Sequence, residues 1–237
     1  NITKTNYSLF GCKNTNLPAN LEINGVQIER IKTSKYLGML IDEDLTWKDQ
    51  IDYVYSKIVK FSSIFYKISH RMPQSVKRMI YFAFVHSHIL YGIEIYGNTY
   101  QSYLSKLIVL NNKLLRILQN KPILTRSAEL YISYNTLPIP LLFKFQLLFL
   151  VHKAYHNGHA LPESFSNYFV RSCSIHTHYT RTSRDLHLQA ITSSAGKRAL
   201  KFKGAILWNN LPSNLKSIDT SARFKKFLKQ YLSDQII

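Results

Sequence analysis

Between Tyr53 and His156 the chain carries thirteen Lys and Arg against two acids, Glu94 and Glu129. The 52 residues before that stretch hold six basic and seven acidic side chains, so the formal charge of +18 resides in the chain from Tyr53 onward. A segment so short of acids and so rich in apolar residues cannot be a solvated basic tail. It reads as packed helices with cationic outer faces, and such a surface meets a polyanion. Nucleic acid is the first partner expected and an anionic membrane surface the second.

Residues 7–41 read as β-rich. Leu21 to Ile28 alternates apolar and polar residues around Asn24-Gly25, the strongest short hairpin signal. Lys35 to Ile41 reads as a strand that ends at Asp42-Glu43-Asp44. Thr46-Trp47-Lys48-Asp49 has the spacing of a capping box. The helix it opens is expected to run to Ile68, with Ile51, Val54, Ile58, Phe61 and Phe65 on one stripe. Lys57, Lys60 and Lys67 fall on its far side.

Met72-Pro73 starts the next helix, Gln74 to about Tyr91, apolar nearly all round and so expected to be central. Another is predicted from Tyr100 to Gln119, with Lys106, Lys113 and Arg116 sharing one face. A buried helix comes after Pro140 and ends at Asn157-Gly158, read as an αL cap. Residues 158–196 are polar and weakly periodic, an irregular connection with short strands. Gly196 to Lys203 reads as a strand and Gly204 to Asn210 as a turn carrying Trp208. The last helix, capped by Thr220 or Ser221, sets Phe224, Phe227 and Leu228 against Arg223, Lys225, Lys226 and Lys229.

Candidate chemistry is sparse. The two cysteines, Cys12 and Cys173, imply no disulfide framework and fit a reducing compartment. Cys173-x-x-His176-x-His178 has the spacing of half a zinc site, with no second Cys/His pair nearby. His86-x-His88 lies on an apolar helix and reads as a core histidine. The acids from Asp42 to Asp52 sit at a strand end and in a first helical turn, where they favour the helix dipole rather than a metal. No serine or cysteine nucleophile is paired with a histidine and an orienting acid. Trp47 and Trp208 read as core anchors. The longest apolar run, Leu141 to Val151, is interrupted by Lys144 and Gln146, too short to span a bilayer. With no starting Met, the chain reads as a fragment of something longer.

Asn1 to Thr5, Lys35-Tyr36-Leu37-Gly38 through Leu45-Thr46-Trp47, and Gly204 to Pro212 with Phe224-Lys225 together resemble the C-terminal part of reverse transcriptases of non-LTR (LINE-type, Jockey-like) retrotransposons. Asn1-Ile2-Thr3-Lys4-Thr5 looks like the N-x-x-K-T segment called motif D. Lys35-Tyr36-Leu37-Gly38 through Leu45-Thr46-Trp47 looks like motif E, the primer-grip hairpin. Gly204-Ala205-Ile206-Leu207-Trp208-Asn209-Asn210-Leu211-Pro212, with Phe224-Lys225, looks like the G-x-x-L-W-N-x-L-P ending of these polyproteins. Pro73-Gln74-Ser75, Tyr91-Gly92, Tyr96-Gly97-Asn98 and Tyr179-Thr180-Arg181 fit the same order.

The resemblance implies an α+β chain, predominantly α: a palm remnant over residues 1–45, a helical thumb over 46–157 and a C-terminal module over 158–237. Lys4 would stand where the motif D lysine steadies or protonates the leaving pyrophosphate. Tyr36, Leu37 and Gly38 would hold the primer's 3′ end. The basic helices would clasp RNA or an RNA–DNA duplex through phosphates and shape. The parent polymerase would use Mg²⁺, but the paired aspartates that hold it are missing here, so no cofactor or metal site is expected in this chain and no polymerisation from it alone. The expected partners are nucleic acid and the parent's remaining palm, fingers and endonuclease, with an intracellular, nuclear or cytoplasmic setting and no membrane. An inert truncated copy, or an adaptor on RNA or chromatin, are the alternatives.

Overall fold

The computed structural model describes residues 5–10, 21–158, 161–165, 167–175 and 185–236. The chain is mixed α and β and about 60% helical, with two small sheets among the described residues, so helix predominates as the periodicity predicts. It falls into two compact units. The first holds the residues up to Gly92 together with Thr99–Asn120, and the second Ile93–Asn98 with the residues from Lys121 on.

In the first unit β1 (Asn6–Tyr7) pairs parallel with β3 (Val26–Arg30), and β2 (Leu21–Ile23) pairs antiparallel with β3. Asn24 and Gly25 turn the β2–β3 hairpin with φ of 52° and 77°, as Asn-Gly predicts. Lys35 to Ile41 is not one strand. It is a second hairpin of β4 (Thr33–Tyr36) and β5 (Met39–Asp42), folded back at Leu37-Gly38.

The expected helix from 48 to 68 is two, α1 (Lys48–Val59) and α2 (Phe61–Ile68), parted at Lys60, whose ψ of −22° is that of a 3₁₀ turn. The capping box does not form either. Trp47 occupies the N-cap with a left-handed φ of 62° and no side-chain cap. The Asp42 carboxylate instead fixes the turn that leads into α1, accepting from the Thr46 and Trp47 amides at 2.8 and 2.7 Å. Asp49 instead accepts from Thr33 Oγ1 at 2.5 Å, tying α1 to β4.

α3 (Gln74–Tyr81) runs through a π-helical turn, Phe82–His86, into α4 (Ser87–Leu90). Lys77, Tyr81, Val85 and Ile89 are its buried side chains, spaced by four. A straight α-helix would rotate that stripe by about 40° at each step, and the wider π turn takes up the drift. The helix is therefore not central, since Met79 and Phe84 stand 61% and 49% exposed on its outer side. Lys77 is buried with its ammonium donating to the Ser69 carbonyl at 2.9 Å, the end of α2, where a cation suits the helix dipole.

A second α-helical layer of this unit is α6 (Gln101–Gln119), which packs on α1, α2 and α3 through Leu104, Leu107, Leu114 and Leu118. Asn120 ends it in the left-handed region.

The second unit contains α5 (Ile93–Tyr96), α7 (Ser127–Tyr134), α8 (Ile139–His156), α9 (Ser194–Arg198), α10 (Leu200–Asn209), α11 (Ser213–Lys216) and α12 (Ser221–Ser233). α8 is the central element, touched by α5, α10 and α12. Its cap is not the αL residue expected: Asn157 has φ −132°, and the asparagines that do adopt αL caps are Asn120 and Asn135. The strand expected over Gly196 to Lys203 and the turn over Gly204 to Asn210 are helical. Lys201 and Lys203 imitate a β alternation, but Gly204, Ala205 and Trp208 form the helical stripe that is buried. Gly204 is required there: a Cβ would lie 2.9 Å from both Phe169 and Val151 carbons.

Candidate nucleic-acid interface

The Leu37-Gly38 turn is a strained, exposed tip of the first unit. Leu37 has φ 46° and Gly38 φ 81°. Glycine accepts this conformation, whereas a leucine there is destabilised by about 1–2 kcal/mol. The side chains it carries point outward, Tyr36 at 65% and Leu37 at 73% exposure. The Tyr91 hydroxyl donates to the Leu37 carbonyl and holds the tip on the end of the α3–α4 helix. A strained, braced turn presenting two apolar side chains to solvent is the kind of place where function keeps strain in the chain. Tyr36, Leu37 and Gly38 thus share this one exposed tip. Lys4 lies outside the described residues.

The cations of the first unit do not form one row. Lys57 stands over the Tyr53 ring at 5.1 Å, with Lys35 5.6 Å from the same ring. Asp52, five residues before Lys57, is turned about 140° away around α1. There it pairs with Lys106 of α6. Partial desolvation and the charge of Lys48 hold the Lys106 ammonium below the usual lysine value. Lys57 and Lys106 therefore lie on different flanks of α1. Lys113, two turns along α6 from Lys106, is exposed, as are Lys60 and Lys67. Arg116, another turn on, is half-buried.

In the second unit Lys225 sits over the Phe149 ring at 4.1 Å, and Lys153 approaches the same ring at 4.7 Å. Lys229 donates to the Asn135 carbonyl at 2.8 Å. Arg223 and Lys226 are exposed. Among the described residues Lys57, Lys60, Lys67, Lys113, Arg223, Lys225 and Lys226 make no ion pair with an acid. An aromatic face attracts an ammonium but brings no net negative charge, so these cations remain uncompensated.

The residues of the G-x-x-L-W-N-x-L-P stretch hold the second unit together. Trp208 is fully buried among His152, Tyr155 and Phe224. Asn209 bonds both backbone groups of Leu186. Pro212 starts α11. Trp47, by contrast, is half-buried.

The core histidine lies in a different helix from the one expected. His88 is exposed and His86 half-buried against the Tyr81 and Phe82 rings. The buried one is His152, stacked on Phe224 at 4.0 Å, with Nε2 bonded to the Ile218 carbonyl at 2.8 Å. Burial pushes its pKa down, with His156 adding to that, while the Ile218 carbonyl and Asp219 oppose it. Its place four residues after Leu148 and one after Val151 is the signal in the sequence that marks it.

Asp42 and Asp49 are spent on local structure, and Glu43 pairs with Arg30 at 2.9 Å. Cys173 is exposed, and His176 and His178 of the half-zinc spacing lie outside the described residues. No single helix among the described residues is long and apolar enough to cross a membrane. No protein-family model, curated protein or solved structure matches the chain.

Proposed function

We propose that this chain is the nucleic-acid-gripping C-terminal portion of an RNA-directed DNA polymerase of the non-LTR retrotransposon kind, with its β segments a remnant of the palm. The observation that carries the reading is the set of cations that no acid neutralises, held on aromatic rings or left in solvent in both units. Phosphate is the abundant partner for such charge, and contacts of this sort give affinity without base readout. The Tyr36-Leu37-Gly38 tip supports the primer-grip part of the reading. It offers two exposed apolar side chains on a braced turn, suited to the sugar and base edge of a strand end. Leu21, Ile23 and Val26 of the first hairpin are each more than two-fifths exposed, an apolar face on which the rest of a palm would pack.

Chemistry at a primer end needs two carboxylate-held metal ions, and the aspartate pair that holds them in that family is missing from this sequence, while Asp42 and Asp49 are bonded to the Thr46 and Trp47 amides and to Thr33. The chain therefore binds and does not polymerise. Electrophoretic shift assays with an RNA–DNA hybrid and a scrambled counterpart test this. Similar affinity for the two and no product in primer extension are expected. Strong sequence preference, or absence of binding in dilute buffer, would overturn it.

A further inference from the structure

A cavity of about 230 Å³ lies within the first unit, walled by Tyr53 and Lys57 of α1, His88 of α4, Tyr91, Gln50 and Gly38. Its polar groups divide into spent and unspent. Gln50 is buried, its Oε1 accepting from the Leu40 amide at 2.9 Å and its Nε2 lying against Met39 Sδ. The Tyr91 hydroxyl donates to Leu37. The Tyr53 hydroxyl, the Lys57 ammonium and the His88 ring have no hydrogen-bond partner among the described residues, and no carboxylate lines the cavity.

We propose that this cavity is a phosphate-binding site, with Lys57, His88 and Tyr53 as its donors. The ammonium supplies charge and up to three N–H bonds, the imidazole offers an N–H in either protonation state, and the phenol adds an O–H. A tetrahedral oxyanion has acceptors for all three at once, and bonds from an ionised donor to an ionised acceptor are the strong ones. A metal cation is repelled by Lys57, and an apolar guest would strip water from its ammonium without replacing the bonds. A volume of about 230 Å³ has room for a phosphate group. Lys35, on the same Tyr53 ring, adds a second positive charge beside it. A free phosphate and the terminal phosphate of a strand share this chemistry, so the site does not depend on the polymerase reading.

The test monitors the imidazole Cε1–H resonance of His88 in the full chain, identified by its loss in His88→Gln, during titration with inorganic phosphate at constant ionic strength. A saturable shift is expected, weakened about tenfold in Lys57→Met, which keeps the aliphatic stem over Tyr53 but removes the charge. Lys197→Met, on α9 of the second unit and outside the residues lining the cavity, should titrate like the parent. A shift that never saturates, or one that is the same in Lys57→Met, would overturn the site. Displacement of bound phosphate by a 5′-phosphorylated RNA dinucleotide identifies a strand end as the source, and failure to displace it identifies free phosphate. A saturable phosphate response in a chain that binds no longer RNA would count against the polymerase reading alone.

Discussion

Asn209 completes Leu186 as a neighbouring strand would. Its side-chain Oδ1 accepts from the Leu186 amide at 2.9 Å, and its Nδ2 donates to the Leu186 carbonyl at 2.8 Å. Leu186 is buried, so neither backbone group has water to fall back on. Asn209→Ala should therefore cost on the order of 2–3 kcal/mol in urea unfolding, and Asn209→Asp about as much, because a carboxylate cannot donate to the carbonyl. A loss below about 0.5 kcal/mol in both would show that the pair is incidental.

His152 should make the second unit acid-sensitive. Its folded pKa lies below its ordinary value, first through burial. The unfolded chain then binds the proton more readily, so the stabilisation is complete above about pH 6.5 and is lost as pH falls through the folded value. Protonating Nδ1 would place a charge with no partner among the described residues against Phe224 and near His156. Urea unfolding between about pH 5 and pH 7 should show stability falling toward acid, and His152→Gln should flatten that slope. An unchanged slope in the variant would assign the effect to other groups.

Leu37 holds a conformation that asparagine tolerates better. Leu37→Asn should raise the unfolding free energy by about 1 kcal/mol while weakening binding to a recessed RNA–DNA primer end. Gain of stability with unchanged binding would mean that the exposed leucine is not a contact. Loss of stability would mean that the turn is not strained.

How much of the structure can be read in the chain depends on the range of the interactions. Asn24-Gly25 declares its hairpin because the turn is decided by two adjacent residues. The apolar stripes of α1 and α6 are visible because burial repeats with the helical period, and α8 declares itself by an apolar run rather than by a stripe. The α1 cap is not. Thr46-x-x-Asp49 has the right spacing, but Asp42 across the β5 turn reaches the amides first and Thr33 captures Asp49. α10 is hidden because Lys201 and Lys203 alternate like strand residues, and only contact with α8 reveals that Gly204, Ala205 and Trp208 share a face. α7 carries no usable signal, its stripe being just Leu130, Tyr131 and Tyr134. The candidate cations are legible as residues but not as a surface. Helical spacing places Lys57 and Lys106 on outer faces, whereas their opposite flanks of α1 depend on which side α6 packs.

The most direct test is the salt dependence of RNA binding by the full chain and by a variant carrying Lys60→Gln, Lys67→Gln and Lys113→Gln, all exposed and without acidic partners. If the uncompensated cations meet phosphate, log affinity should fall linearly with log salt. The variant's slope should be shallower by about 0.7–0.9 for each phosphate contact removed. A flat salt response, or identical slopes for the two proteins, would contradict the claim that this surface is built for a polyanion.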